Sequence, residues 1–148
     1  GSAGAGQMRG GFGLDYELEL RNGEARASFV MDHGRFGPQG ALGGRDGDVN
    51  KVVVFRDGAS YVPEHLSKEQ DIHITAGDRI RVSTPGGGGY GDPLDRDPEL
   101  VSHDVSRGYY SVEEAADLYG VIFVAGEVDA RATSTLRSER RSASHAVE

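Results

Sequence analysis

The sequence predicts a mainly β protein with short C-terminal helices, its antiparallel sheets forming a small barrel or sandwich joined by glycine-rich polyproline-II segments. Three observations support this prediction. Apolar and polar residues alternate with period two in several runs between residues 14 and 83. Glycine supplies 23 of the 148 residues, roughly double its usual share, while hydrophobic residues supply only 36%. Beyond Thr84-Pro85-Gly86-Gly87-Gly88-Gly89-Tyr90-Gly91-Asp92-Pro93 the pattern changes to helix caps and helical spacing. The expected organisation is a β-rich domain over residues 1–93 and a helical tail over residues 94–148, docking on that domain or on a partner.

Residues 1–13 hold six glycines and read as loop or polyproline II. Leu14, Tyr16, Leu18 and Leu20 then alternate with Asp15, Glu17, Glu19 and Arg21, a strand with one wet face. Asn22-Gly23 suits a type I′ turn, so a hairpin onto Ala25, Ala27, Phe29 and Met31 is expected. Gly34, Gly37, Gly40 and Gly43 recur every third residue, the period of a polyproline-II helix, with an ordinary long loop as the alternative. Residues 51–55 (KVVVF) read as a strand buried on both faces. Asp57-Gly58 marks a turn into a short partner strand at residues 59–62. Residues 70–75 and 79–83 are two more strands about the turn Ala76-Gly77-Asp78, with Ile72, Ile74, Ile80 and Val82 inward.

After the tetraglycine run, Asp92-Pro93 and Asp97-Pro98 each place a capping Asp before a first-turn Pro. The helix from Pro98 offers Leu100, Val101 and Val105 to one face and stops at Gly108. Ser111 and Glu114 form a capping box for a helix ending near Gly120. Residues 121–124 read as a short apolar strand. Asp129 caps a last helix to about Arg141, with Leu136 its large anchor and the final SASHAVE frayed.

The net charge of −8 argues against nucleic acid and anionic membrane as partners. The absence of cysteine removes disulfides, thiolate metal sites and a Cys nucleophile. No apolar run reaches the 18 residues that mark a membrane span, and a cytoplasmic location is expected. The chain opens on Gly1 rather than Met, so it reads as trimmed, processed or lacking its first residues.

Gly86-x-Gly88-x-x-Gly91 matches a dinucleotide fingerprint in form only. Asp92-Pro93 stands where a helix N-terminus is needed, and its carboxylate would repel a pyrophosphate. His33, His65, His73, His103 and His145 lack metal-ligand spacing, and His103-Asp104 reads as the solvated face of a helix. Asp92, Asp95 and Asp97 could hold a hard cation, but caps and turns explain them. Arg9 and Arg35 are read as ion-pair partners, within the chain or across an interface. No catalytic, cofactor-binding or metal-ligating residue is therefore assigned. If the chain does contribute groups to a shared site, Arg9, His33, Arg35 and Tyr90 are the candidates. A free-standing binding module is disfavoured by the lack of Trp or a clustered aromatic face.

Gly4-Ala5-Gly6-Gln7-Met8-Arg9-Gly10-Gly11-Phe12-Gly13 resembles the G-A-G-x-x-R-G-G-x-G segment of the hydantoinase B/oxoprolinase family. Residues 84–93 resemble its TPGGGG[YW]GDP signature, and residues 94–121 are similar in order and spacing to its closing segment. The resemblance spans residues 4–140, only the tail of proteins that are normally several times longer. It implies barrel-like sheets running into short polyproline-II helices. It also implies a small structural or site-supporting subunit of a multi-subunit ATP-dependent carboxylase. Acetophenone carboxylase, which converts a ketone, bicarbonate and ATP to a 3-oxo acid, has such a small subunit. Part of an ATP-dependent cyclic amide hydrolase of N-methylhydantoinase, oxoprolinase or caprolactamase type is the alternative. The implied partners are a hydantoinase B-like large subunit and hydantoinase A-like ATP-binding subunits. ATP and a divalent metal are expected there rather than on this chain.

Overall fold

A computed structural model describes residues 1–145, the last of these by its backbone alone. Six main strands precede the helices: β1 (Asp15–Glu19), β2 (Glu24–Val30), β3 (Lys51–Arg56), β4 (Ala59–Tyr61), β5 (Lys68–Thr75) and β6 (Arg79–Ser83). An antiparallel four-stranded sheet runs in the order β1-β6-β3-β4, and β2 pairs with β5 in a two-stranded ribbon. Both are open layers stacked on each other, and no closed barrel forms among the described residues.

The expected hairpin at Asn22-Gly23 does not form. β1 pairs with β6, and β2 with β5. Only Gly23 there has positive φ, at 73°, whereas a type I′ turn needs two such residues. The segment is instead a corner, bonded to a second corner through Leu20 N–H to the Asp78 carbonyl (3.0 Å) and Gly77 N–H to the Leu20 carbonyl (2.8 Å). Chain 15–30 therefore runs antiparallel to chain 68–83 along its whole length, and the two bend together. Asp78 pins the bend: its Oδ2 accepts from Thr75 N–H at 2.9 Å and from Arg56 Nη2 at 2.7 Å. The primed hairpin occurs at Asp57-Gly58 between β3 and β4, with φ of 50° and 77°.

Val52, Val54, Ile80 and Val82 form the first core, under Ala27, Phe29, Ile72 and Ile74 of the folded-over ribbon. β3 is buried by alternation rather than on both faces, because its other side carries Phe55 beneath Arg79 and Arg81. Glu17 pairs with both arginines, at 2.7 and 3.0 Å. The ribbon covers only the middle of the sheet. Leu14, Tyr16 and Leu18, the expected dry face of β1, are 59%, 41% and 62% exposed.

The tetraglycine run passes between residues 2–13 and residues 38–48 as backbone against backbone. Gly4 N–H reaches the Gly87 carbonyl (2.8 Å), Gly87 N–H the Gly11 carbonyl (2.9 Å) and Gly89 N–H the Arg45 carbonyl (2.9 Å). A Cβ on Gly10 would overlap the Gly87 carbonyl, and one on Gly88 the Gln39 carbonyl. Of the glycines with the three-residue period, Gly37 and Gly40 abut the Gly47 and Gly44 carbonyls of their own loop.

Asp92 caps a short 3-10 turn (Pro93–Asp95) through Leu94 N–H at 2.8 Å, and Asp97 caps α1 (Pro98–Ser106) through Glu99 N–H at 2.9 Å. α2 (Val112–Tyr119) has the expected Ser111–Glu114 box and ends on Gly120 at φ 63°. β7 (Phe123–Val124) and β8 (Glu127–Val128) lead into α3 (Ala130–His145), where Asp129 receives Ala132 N–H at 2.9 Å. α3 continues through residues 142–145, so that part of the expected fraying is corrected; residues 146–148 lie outside the described residues. The second core joins Ala5 and Phe12 of the glycine-rich N-terminus to Val101, Tyr110, Ala115, Tyr119 and Val121.

Gly10→Ala is expected to lower stability by at least about 2 kcal/mol, since neither backbone can yield to a Cβ. Gly11→Ala, with nothing within 4 Å of its added carbon, is expected to be nearly neutral. Urea unfolding of the two variants side by side checks the pair.

Candidate functional site

Where the glycine layer meets the helices, three charged side chains leave water together. Asp104 sits on α1 between Val101 and Val105 on the face that packs inward, and only 3% of it is exposed. Its Oδ2 accepts from Arg9 Nε at 2.8 Å and Arg96 Nη2 at 3.0 Å, and its Oδ1 accepts from Arg9 Nη2 at 3.0 Å. Arg9 comes from the N-terminal glycine segment, and Arg96 from the link between the 3-10 turn and α1. A third guanidinium continues the chain: Arg137 of α3 donates to the carbonyls of Tyr119 (2.9 Å) and Arg96 (2.8 Å).

Aromatic rings enclose the cluster. The Arg9 guanidinium lies 4.4 Å from the Phe12 ring centre, and that of Arg96 lies 5.7 Å from Tyr119. Tyr119 donates its hydroxyl to Tyr110 at 3.1 Å. Burial raises the Asp104 carboxyl pKa, but the hydrogen bond from Arg9 and the fields of Arg9 and Arg96 outweigh it, leaving it below its ordinary 3.8. The same hydrogen bond, against the cost of burial, raises Arg9. Burial raises both Tyr110 and Tyr119. The arrangement is a clamp. A carboxylate whose two oxygens hold three guanidinium donors is not available as a general base or as a cation ligand.

The expected solvated face at His103-Asp104 is thus half corrected: His103 is exposed, while Asp104 is buried. A carboxylate three residues after Val101 and one before Val105 lies within the apolar stripe and needs a cationic partner. That was the readable signal. Arg9 is the ion-pair partner expected of it, and the pair is within the chain. Arg96, the other partner, was not singled out, since nothing local marks it.

The remaining candidates do not converge on this cluster. Tyr90 pairs its backbone with Met8 and Ala41 and is 53% exposed. His33 and Arg35 line an open cleft of about 520 Å³ that also contains His65 and Lys68. His33 has φ 63° and its Nδ1 lies 3.2 Å from the Phe36 carbonyl. The cleft's other charges are matched locally, Lys68 with Asp32 at 2.8 Å and His65 with Glu69 at 3.1 Å. Asp92 and Asp97 are engaged as caps, and Asp95 receives Arg141 at 2.5 Å. The glycines of the dinucleotide-like fingerprint face protein: Gly86 abuts Ser2, and Gly88 abuts Gln39. A pyrophosphate has no room there.

Asp104→Asn is expected to cost about 3–5 kcal/mol, because Arg96 stays buried with its charge unmatched. The lowered pKa of Asp104 means that its stabilisation is present above the ordinary 3.8 and is lost as pH falls through the depressed folded value. Acid unfolding of the wild-type chain should therefore lose that stability below pH 3.8, and the Asn variant should lack this limb. Parallel pH titrations of the unfolding midpoint check both.

The family model for hydantoinase B/oxoprolinase matches residues 1–93, the sheets and the glycine layer together. Caprolactamase subunit beta of Pseudomonas jessenii is 37% identical over 145 residues, covering 93% of this chain and 24% of the relative. Among solved structures, ATP-dependent caprolactamase from the same organism superposes with a TM-score of 0.71 at 29% identity, over 90% of this chain and 24% of the other. A nucleotide-free acetone carboxylase superposes over 99% of this chain and 24% of the other, with a TM-score of 0.73. At 22% identity that likeness shows the fold alone. The chain therefore spans about a quarter of the length of such relatives. With the family's own glycine signature forming the layer between its sheets and its helices, the chain belongs to the hydantoinase B/oxoprolinase family.

Proposed function

We propose that this chain is a site-supporting component of an ATP-dependent enzyme assembly that activates a carbonyl compound. The observation that carries this reading is the use of the ion cluster around the buried Asp104. Arg9, Asp104 and Arg96 are spent on fastening the glycine layer to the helices, not left facing a cavity. The glycine segments, packed as polyproline-II-like rods, are on this reading the frame against which a larger B-type body is built. Nucleotide and metal would be held by partner subunits, a hydantoinase B-like large chain and hydantoinase A-like chains.

Two chemistries fit the family. Carboxylation of a ketone such as acetophenone, with bicarbonate and ATP giving a 3-oxo acid, is the first. Ring opening of a cyclic amide is the reading favoured by the sequence match, because caprolactamase subunit beta is 37% identical across nearly the whole chain. The acetone carboxylase alpha subunit of Xanthobacter autotrophicus matches less of it, 31% identical over 60% of this chain.

Reconstitution with the large B-type and ATP-binding chains tests the proposal. ATP turnover is expected to depend on a lactam or hydantoin and to fall when this chain is left out. Bicarbonate fixation onto a ketone would select the carboxylase chemistry instead. Full turnover without this chain would overturn its supporting role.

A further inference from the structure

One edge of the larger sheet has no partner strand among the described residues: β1, bonded there only to β6. Leu14 N–H and Leu20 N–H point inward, to Thr84 Oγ1 at 2.9 Å and the Asp78 carbonyl at 3.0 Å. The antiparallel alternation then turns the backbone N–H and C=O groups of Asp15, Glu17 and Glu19 outward. Tyr16 stands opposite Val82 and Leu18 opposite Ile80, so both lie on the face that the first core buries. That core stops one strand short of them. At the other edge β4 has three residues, one of the common ways of protecting a sheet edge. β1 has no proline, lysine or bulge, and charge alone guards it, from Asp15, Glu17 and Glu19.

We propose that β1 receives a β-strand from the body of a hydantoinase B-type protein, extending the sheet to five strands and carrying its core across Leu14, Tyr16 and Leu18. This rests on the site-supporting function proposed above and names the surface through which it acts. Two observations choose this occupant. Relatives hold this fold as about a quarter of their length, so most of a B-type protein lies outside the described chain. A second copy is a poor occupant on charge. Antiparallel self-pairing in any register that joins apolar to apolar sets Asp15, Glu17 and Glu19 against one another. Registers one residue out set acids against Tyr16 and Leu18. The fitting strand alternates apolar residues with neutral or basic ones.

Amide exchange on the full chain, alone and mixed with the large B-type chain from the same organism, tests this. The Asp15, Glu17 and Glu19 amides are expected to exchange freely alone and about tenfold or more slowly in the complex. Glu19→Pro removes an outward donor and a side chain with no ion pair among the described residues, and is expected to weaken the complex about tenfold or more. Leu18→Ser provides the same check with the backbone intact. A complex that forms with these amides unprotected, and with both variants binding like wild type, overturns the strand addition while leaving the supporting role standing. No complex from folded wild-type chains overturns both. Protection of β1 in a dimer of this chain alone overturns the choice of occupant.

Discussion

Three stretches of backbone lie in direct contact at the tetraglycine run, and the rest of the molecule is arranged around that contact. Residues 2–13 and 38–48 approach residues 86–91 so closely that a single Cβ at most of the facing positions would meet a carbonyl. Hydrogen bonds among the three satisfy the peptide groups enclosed there. Such a layer buries almost no side-chain carbon, so it contributes little to the hydrophobic free energy that holds a domain together. The apolar stabilisation must come from the two cores on either side of it, one between the sheets and one among the helices.

This explains why arginine joins the layer to the helices beside the few apolar contacts of Ala5 and Phe12. A glycine segment offers no side chains to interdigitate, so its few non-glycine members must reach outward and bind directionally. Arg9 does so with a fork that meets both oxygens of Asp104, and its flat face rests on Phe12. Burying such a cluster carries a desolvation penalty comparable to its Coulombic gain. Its contribution is register: only one placement of α1 against the N-terminal segment gives Asp104 both guanidinium groups.

Much of this was legible in the sequence wherever the determinants were local. Residues 79–83, the two Asp-Pro caps, the Ser111–Glu114 box and the Asp57-Gly58 turn all follow from neighbours a few positions apart. The Asn22-Gly23 hairpin failed because strand pairing is a competition. β1 and β2 find longer partners in residues 68–83 than in each other, and a dipeptide cannot report that. Asp104 stood in plain view on an apolar stripe, yet its partners lie 95 and 8 residues away. The exposed face of β1 reads as buried in any sequence pattern, because alternation reports a surface's preference and not whether anything covers it.

The threading of residues 86–91 between two earlier segments also sets an order of events in time. Residues 2–13 leave the ribosome about 80 residues before their partner does, a delay of roughly 4–16 s at ordinary translation speeds. Meanwhile the N-terminal segment can bond to itself, Gly10 N–H to the Gly4 carbonyl, and then to Arg45 and Asp48, but its bonds to residues 87–91 must wait. The primed β3–β4 hairpin closes early, and the bent ribbon must wait for its second arm. The tetraglycine signature is thus the last piece of the β region to arrive, and its arrival completes the glycine layer.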